Sequence, residues 1–295
     1  MVDERDVDMD EWLADDELAD EYTPPLPLNW LMERLDEPDP QVRVEAIKEL
    51  WEHVDPQVME RLFELAENDQ DERVRCRAIS GLGRYVWECE VSDPNLTDLD
   101  EDDEFTPADL DRLRKFLFGI YRDESRSLNE RRFAIEALSF LHEPAVDQAI
   151  MALYERPEKE ARLSALFSMG RNGSEQWESI LAREIWSEDK EIRIEAINAI
   201  GEMRADSFGK DLWRLTYDPD RDVMMAAIFS LGQTGWEDAF DRLDELTLDP
   251  DPEIRQVADA ALEEWMIFSQ IDGELEDEDW DEEEADELDE ESDWM

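Results

Sequence analysis

Asp189-Lys190-Glu191-Ile192-Arg193-Ile194-Glu195-Ala196-Ile197-Asn198-Ala199-Ile200-Gly201 is the stretch that decides the fold. Ile192, Ala196, Ile197 and Ile200 fall at i, i+4, i+5 and i+8, one apolar face of a helix. Asp189 supplies an N-cap oxygen ahead of that face, and Gly201 follows it where a helix can end on a left-handed residue. The same pattern recurs along the chain. It reads Val42-Arg43-x-x-Ala46-Ile47-x-x-Leu50, Val74-Arg75-x-x-Ala78-Ile79-x-x-Leu82-Gly83 and Arg131-x-x-Ala134-Ile135-x-x-Leu138. It continues as Ala161-Arg162-x-x-Ala165-Leu166-x-x-Met169-Gly170, Val223-Met224-x-x-Ala227-Ile228-x-x-Leu231-Gly232 and Ile254-Arg255-x-x-Ala258-Asp259-x-x-Leu262.

The alanines of successive copies lie 32, 56, 31, 31, 31 and 31 residues apart. The single long interval contains an acidic stretch, so that stretch reads as an insertion of about 25 residues into a regular array. Upstream of each cap lies a second amphipathic run, such as Phe208 to Leu215 or Phe240 to Leu248. Two antiparallel helices per repeat, seven times over, predict an all-α solenoid in which each pair buries its face only against its neighbours. Gly83, Gly170, Gly201 and Gly232 are expected to be left-handed helix ends. Asp259 stands in a column that is Ile or Leu elsewhere, as a polar capping unit requires.

The pattern resembles the HEAT repeat family, in the short variety known from phycobilin lyases, over roughly residues 24–268. The resemblance implies that motif arginines and capping aspartates form a structural ladder along the stack. Carried over, that role falls to Arg43, Arg75, Arg131, Arg162, Arg193 and Arg255 with Asp39, Asp71, Asp189 and Asp251. Met224 replaces the arginine in the sixth unit, so the ladder is expected to break there. The chain divides into an acidic flexible segment over 1–23, the solenoid over 24–270 with its insertion at about 88–108, and an acidic flexible tail over 271–295.

Charge is concentrated. The net is −56, from 85 acidic and 29 basic residues. Residues 1–22, 88–111 and 271–295 hold 11, 11 and 16 acids with one base among them, Arg5. Such a field repels nucleic-acid backbones and anionic membranes and attracts basic partners. A surface rich in Asp and Glu and poor in Lys is also what a high-salt cytoplasm selects, but salt adaptation would spread the acid evenly. Cys76 and Cys89 are too few for a disulfide framework. The first residues lack a basic and apolar leader pattern, and no apolar run is long enough to span a bilayer. A cytoplasmic monomer with no membrane or direct nucleic-acid binding is the expectation.

No catalytic constellation, metal site or cofactor motif is legible. His53 and His142 are the only histidines. They cannot supply the repeated His-Glu ligand set of the deoxyhypusine hydroxylases, which share the repeat. Neither a glycine-rich phosphate loop nor a calcium-loop pattern occurs.

Two features point to binding. Five residues after the motif arginine, the column reads Lys48, Ser80, Glu136, Phe167, Asn198, Phe229 and Ala260. Phe167, Asn198 and Phe229, with Ser164, Ser168 and Ser230 nearby, form an uncharged, partly aromatic strip. It suits a peptide or helix, or else packing between adjacent motif helices. Trp12, Trp280 and Trp294 stand inside acidic runs, where an aromatic can anchor a partner while carboxylates complement a basic surface. The expected function is a non-catalytic scaffold or adaptor that recognises a basic protein through groove and tails. One alternative is a nucleic-acid mimic or assembly chaperone acting through the tails; another is a phycobilin-lyase-like enzyme.

Overall fold

A computed structural model describes residues 26–91 and 105–267. Fourteen α-helices occupy those residues, and no strand occurs among them. They alternate between two layers. The motif-bearing layer contains α2 (Pro40–Glu49), α4 (Glu72–Val91), α6 (Leu128–Leu138), α8 (Lys159–Asn172), α10 (Lys190–Glu202) and α12 (Arg221–Gln233), and closes with α14 over 252–267. The second layer contains α1 (Leu28–Arg34), α3 (Pro56–Asn68), α5 (Pro107–Arg122), α7 (Pro144–Tyr154), α9 (Glu178–Glu184), α11 (Gly209–Leu215) and α13 (Phe240–Leu246). Motif helices from α2 to α12 pack each on the next, and α1, α3, α5, α7, α9 and α11 each pack on the motif helix that follows them. The chain is therefore an α-solenoid of HEAT-like helix pairs.

The local chemistry matches that arrangement. Asp39, Asp189 and Asp220 are N-caps whose side chains accept from the backbone N–H two residues on, at 2.9, 3.0 and 3.1 Å. Pro40 follows the first of them at N1, where its missing N–H costs nothing. Val74, Ala78, Ile79 and Leu82 in α4 are fully buried, as are Ala196, Ile197 and Ile200 in α10 and Ala227, Ile228 and Leu231 in α12. One core thus runs continuously through the stack.

The motif glycines do not end helices. Gly83, Gly170, Gly201 and Gly232 lie inside α4, α8, α10 and α12. The left-handed glycines are Gly173 (φ 68°) and Gly235 (φ 64°), three residues further on, and Arg204 (φ 53°) fills the same register between them. What the motif position requires is the absence of a side chain. A Cβ on Gly170 would meet the Ala199 Cα at 2.6 Å, and one on Gly83 the Ala137 Cα at 3.1 Å. One on Gly232 would collide with the carbonyl of Ala261, and one on Gly201 with Ser230 and Gln233. Each glycine therefore lets the next motif helix approach through a small residue.

Glu88, Cys89, Glu90 and Val91 belong to the last turns of α4, and Thr106 caps α5 in a capping box with Asp109. The insertion is correspondingly shorter than the expected span of about 88–108. The acidic segments at 1–23 and 271–295 lie outside the described residues, with Trp12, Trp280 and Trp294.

Candidate functional site: the open face of the motif helices

The motif arginines turn inward to the backbone of their own repeat. Arg43 donates from Nη1 to the Glu37 and Pro38 carbonyls at 2.7 and 3.2 Å. Arg75 does the same to Asp69 and Gln70, Arg193 to Ser187 and Glu188, and Arg255 to Asp249 and Pro250. Each guanidinium thus satisfies carbonyls left free where the two helices of a pair meet. Arg131 donates to the Tyr121 carbonyl at 2.8 Å, and Arg162 to the Glu184 carboxylate at 2.9 Å.

The capping aspartates pair with other residues. Lys159 reaches Asp189 and Glu191, Lys190 reaches Asp220 and Asp222, and Arg221 reaches Asp251 and Glu253. Asp71 pairs with Arg73, while Asp39 serves as a cap alone. From α8 onward the pairs to capping aspartates are therefore built from the residue just before each motif, while the motif arginines Arg43, Arg75 and Arg162 pair instead with Asp69, Glu130 and Glu184 of the following repeat. The reason is reach: Met224 breaks nothing, because Lys190 and Arg221 carry the links on either side of it.

Acids also meet motif arginines in the interior: Asp69 on Arg43, Glu184 on Arg162 and, most deeply buried, Glu130 on Arg75. Glu130 takes the position held by Val, Ile or Ala in the other units, and it is almost fully buried. Burial by itself would raise its carboxyl. Bonds from Arg75 Nε (2.7 Å), the Ser127 backbone (3.0 Å) and Arg126 (3.0 Å) outweigh that and hold it at about 2. Its sequence signal was the capping box Ser127-Leu128-Asn129-Glu130.

On the open face, Phe167, Asn198 and Phe229 sit on three successive helices, α8, α10 and α12. Asn198 is exposed and the two phenyl rings are half-buried. Ser164, Ser168 and Ser230 are buried between helices, so that part of the strip is packing. Nor is the strip uncharged. The Arg171 guanidinium lies 4.3 Å from the Phe167 ring centroid and 4.7 Å from that of Phe140. Glu136 accepts from Arg132 Nη1 at 3.2 Å and from the Ser164 hydroxyl, and burial pushes its carboxyl up.

Two ionisable side chains on this face have no partner among the described residues. Glu195 accepts no hydrogen bond and meets no cation among the described residues. Burial, then the nearby Glu136 and Glu202, push its carboxyl up to about 8. Arg77 likewise has no hydrogen-bond or ion-pair partner among them, and burial alone pulls it below the usual guanidinium range. Both occupy one repeat column, whose other members are Glu45, Phe133, Ser164, Ala226 and Val257. A charge in a column filled mainly by neutral residues was the legible signal for these positions.

Arg77 lines a cavity of about 480 Å³ between the motif helices α2, α4, α6 and α8, with Val44, Cys76, Ser80, Arg132 and Phe133 among its walls. Cys76 is buried there, and burial pushes its thiol up to about 12. On the other layer a second surface recurs at the repeat spacing. Trp186, Tyr217 and Leu248 are 51, 54 and 82% exposed, with Trp213 edge-on to Tyr217 at 5.3 Å.

No helix among the described residues is long and apolar enough to cross a membrane. No curated protein matches the chain in sequence. Among solved structures, the complex of CpcE and CpcF of phycocyanin lyase from Nostoc sp. PCC7120 aligns with a TM-score of 0.53 at 16% identity. That alignment covers 84% of this chain and 91% of the other. Human deoxyhypusine hydroxylase aligns with a TM-score of 0.38 at 16% identity, over 81% and 84% of the two chains. An archaeal HEAT-like repeats protein from Thermococcus onnurineus NA1 gives 0.39 at 15%, over 82% and 98%. At such identities the likeness concerns the fold alone. The family profile for HEAT repeats matches residues 28–108 and 174–263. Together with the paired-helix stack, that match places this chain in the HEAT repeat family.

Proposed function

We propose that this protein is a non-catalytic scaffold whose motif face takes a segment of a basic protein partner. The observation that carries the reading is Glu195. Folding has buried part of a carboxyl on the open face and supplied no cation for it, at a cost that a lysine or arginine from outside would offset. Phe167 and Phe229 flank it on the neighbouring helices and offer apolar contact to the same segment. The overall charge of −56 brings a basic partner to the surface, and the unpaired carboxyl gives it a place to seat.

A panel of Lys- and Arg-bearing peptides, read by fluorescence anisotropy against sequence-matched neutral peptides, tests this. Basic peptides should bind the parent. Glu195→Gln should weaken them by about tenfold, as loss of one charge-assisted contact does. Phe167→Ala with Phe229→Ala should raise dissociation rates. Equal binding by parent and by both folded variants would remove the motif face from the reading.

A further inference from the structure

Arg77 on α4 and Glu195 on α10 stand in one repeat column, each immediately before the motif alanine of its unit. Both are half-buried on the motif face, and neither has a hydrogen-bond or ion-pair partner among the described residues. Their surroundings reinforce the two signs. Arg73 and Arg132 line the cavity with Arg77, against Glu72 and Glu160. The charges that act on Glu195 are the carboxylates of Glu136 and Glu202. Between the two positions the column passes Phe133 on α6, half-buried, and Ser164 on α8, buried, so no charge interrupts it. The motif face is therefore polar end to end, positive toward α4 and negative toward α10.

The helices α4, α6, α8 and α10 pack each on the next. Packed helices lie ~8–10 Å apart, so three steps separate the two charges by roughly 24–30 Å. An extended chain rises ~3.3 Å per residue and covers that distance in about seven to nine residues. A free anion meets the repulsion of a chain at −56, whereas a carboxylate carried on a net-basic segment is brought in by its neighbours. The donors of a guanidinium match a carboxylate, and Glu195 matches a lysine or arginine. We propose that the motif face seats one extended, charge-segregated segment of the partner. Its lysine or arginine pairs with Glu195, and an aspartate or glutamate about seven to nine residues away pairs with Arg77. Phe133 gives the residues between them an apolar contact. The proposal rests on the basic-partner reading and adds a register to it.

Peptides of one composition and one net positive charge test the register by fluorescence anisotropy against the full chain. Each carries a single glutamate at a different distance from a Lys-Arg pair, in both chain directions. Affinity for the parent should peak with the acid about seven to nine residues away, roughly tenfold above the shortest spacings. Replacing that glutamate by glutamine should cost the same factor in the parent and nothing in Arg77→Gln. The Arg77→Gln variant should bind acid-free basic peptides as the parent does. A flat spacing profile, a peak at the roughly 16–20 residues that a helix needs, or a peak that survives in Arg77→Gln overturns the register and leaves the basic-partner reading intact. No binding of basic peptides to the parent, or no response to Glu195→Gln, overturns both. The spacing profile uses only the parent chain, so it decides the register whether or not Arg77→Gln folds.

Discussion

The two halves of the array use the same helix pair and are stitched in different ways. From α8 to α14 the links are regular and superficial: Lys159, Lys190 and Arg221 each reach one repeat forward to a capping aspartate and the acid two residues beyond it. Between α2 and α6 the links are irregular and half-buried. There Arg43 pairs bidentately with Asp69, and Arg75 and Arg126 converge on Glu130. The 56-residue interval falls in this half, so the third unit sits where the period is broken. Interior ion pairs fix which helix faces which where periodicity cannot. The regular half has an interior pair only at its start, Arg162 with Glu184 among the described residues, and otherwise leaves that task to glycine contacts and its apolar core.

Replacing Glu130 should therefore have the largest effect. Glu130→Ala leaves Arg75 short of its main counter-charge, a loss of ~3–5 kcal/mol at neutral pH. Because the folded carboxyl titrates at about 2, below its ordinary 4.5, its contribution is complete above about 4.5 and disappears as pH falls through about 2. Denaturant titrations of parent and variant should converge in acid; a constant gap would refute the assignment.

In the regular half, the corresponding weak point is a glycine. Gly170→Ala forces a Cβ against the α10 backbone, an overpacking cost of about 2–3 kcal/mol. Gly119→Ala, on exposed α5 with nothing within 4 Å, should instead stabilise by about 0.5–1 kcal/mol. Thermal melts of the two variants moving in the same direction would contradict the close-approach explanation.

Glu195 comes next, with the opposite pH sense to Glu130. Its folded carboxyl titrates near 8, above the ordinary 4.5. Stability is therefore highest below about 4.5 and declines as pH rises through 8. Glu195→Gln should match the parent in acid and exceed it by roughly 1–3 kcal/mol in mild alkali. Parallel stability curves across that range would show that the carboxyl is solvated.

The smallest effect belongs to the exposed ladder. Lys190→Gln should scarcely move the melting temperature, and 1 M salt should erase what shift there is, since screening then acts within ~3 Å. A large, salt-resistant loss would mean that the regular half is also held by its ion pairs.

The motif Ile192-Arg193-x-x-Ala196-Ile197 made the helix, its buried face and its repeat legible, because those depend on spacing within one chain segment. The N-caps were legible for the same reason, since Asp189 bonds only two residues ahead of itself. The glycines were misread as helix ends: a glycine that stops a helix and one that admits a neighbour look alike until the neighbouring Ala199 or Ala261 is in place. Phe167, Asn198 and Phe229 were placed in one column from the period. Glu136 stands in that same column, but Arg171 and Glu195, the other charges beside them, belong to different columns and were not placed there.

Sequence by itself thus determined the all-helical repeat, its register and its apolar core, all set by short-range periodicity. Tertiary structure decided which charges are matched. Arg75 found Glu130, 55 residues away, whereas Arg77 and Glu195 found no partner, though both stand at one motif position. Whether a charge is satisfied depends on the side chain that an adjacent helix brings within about 4 Å, and on how much water that helix excludes.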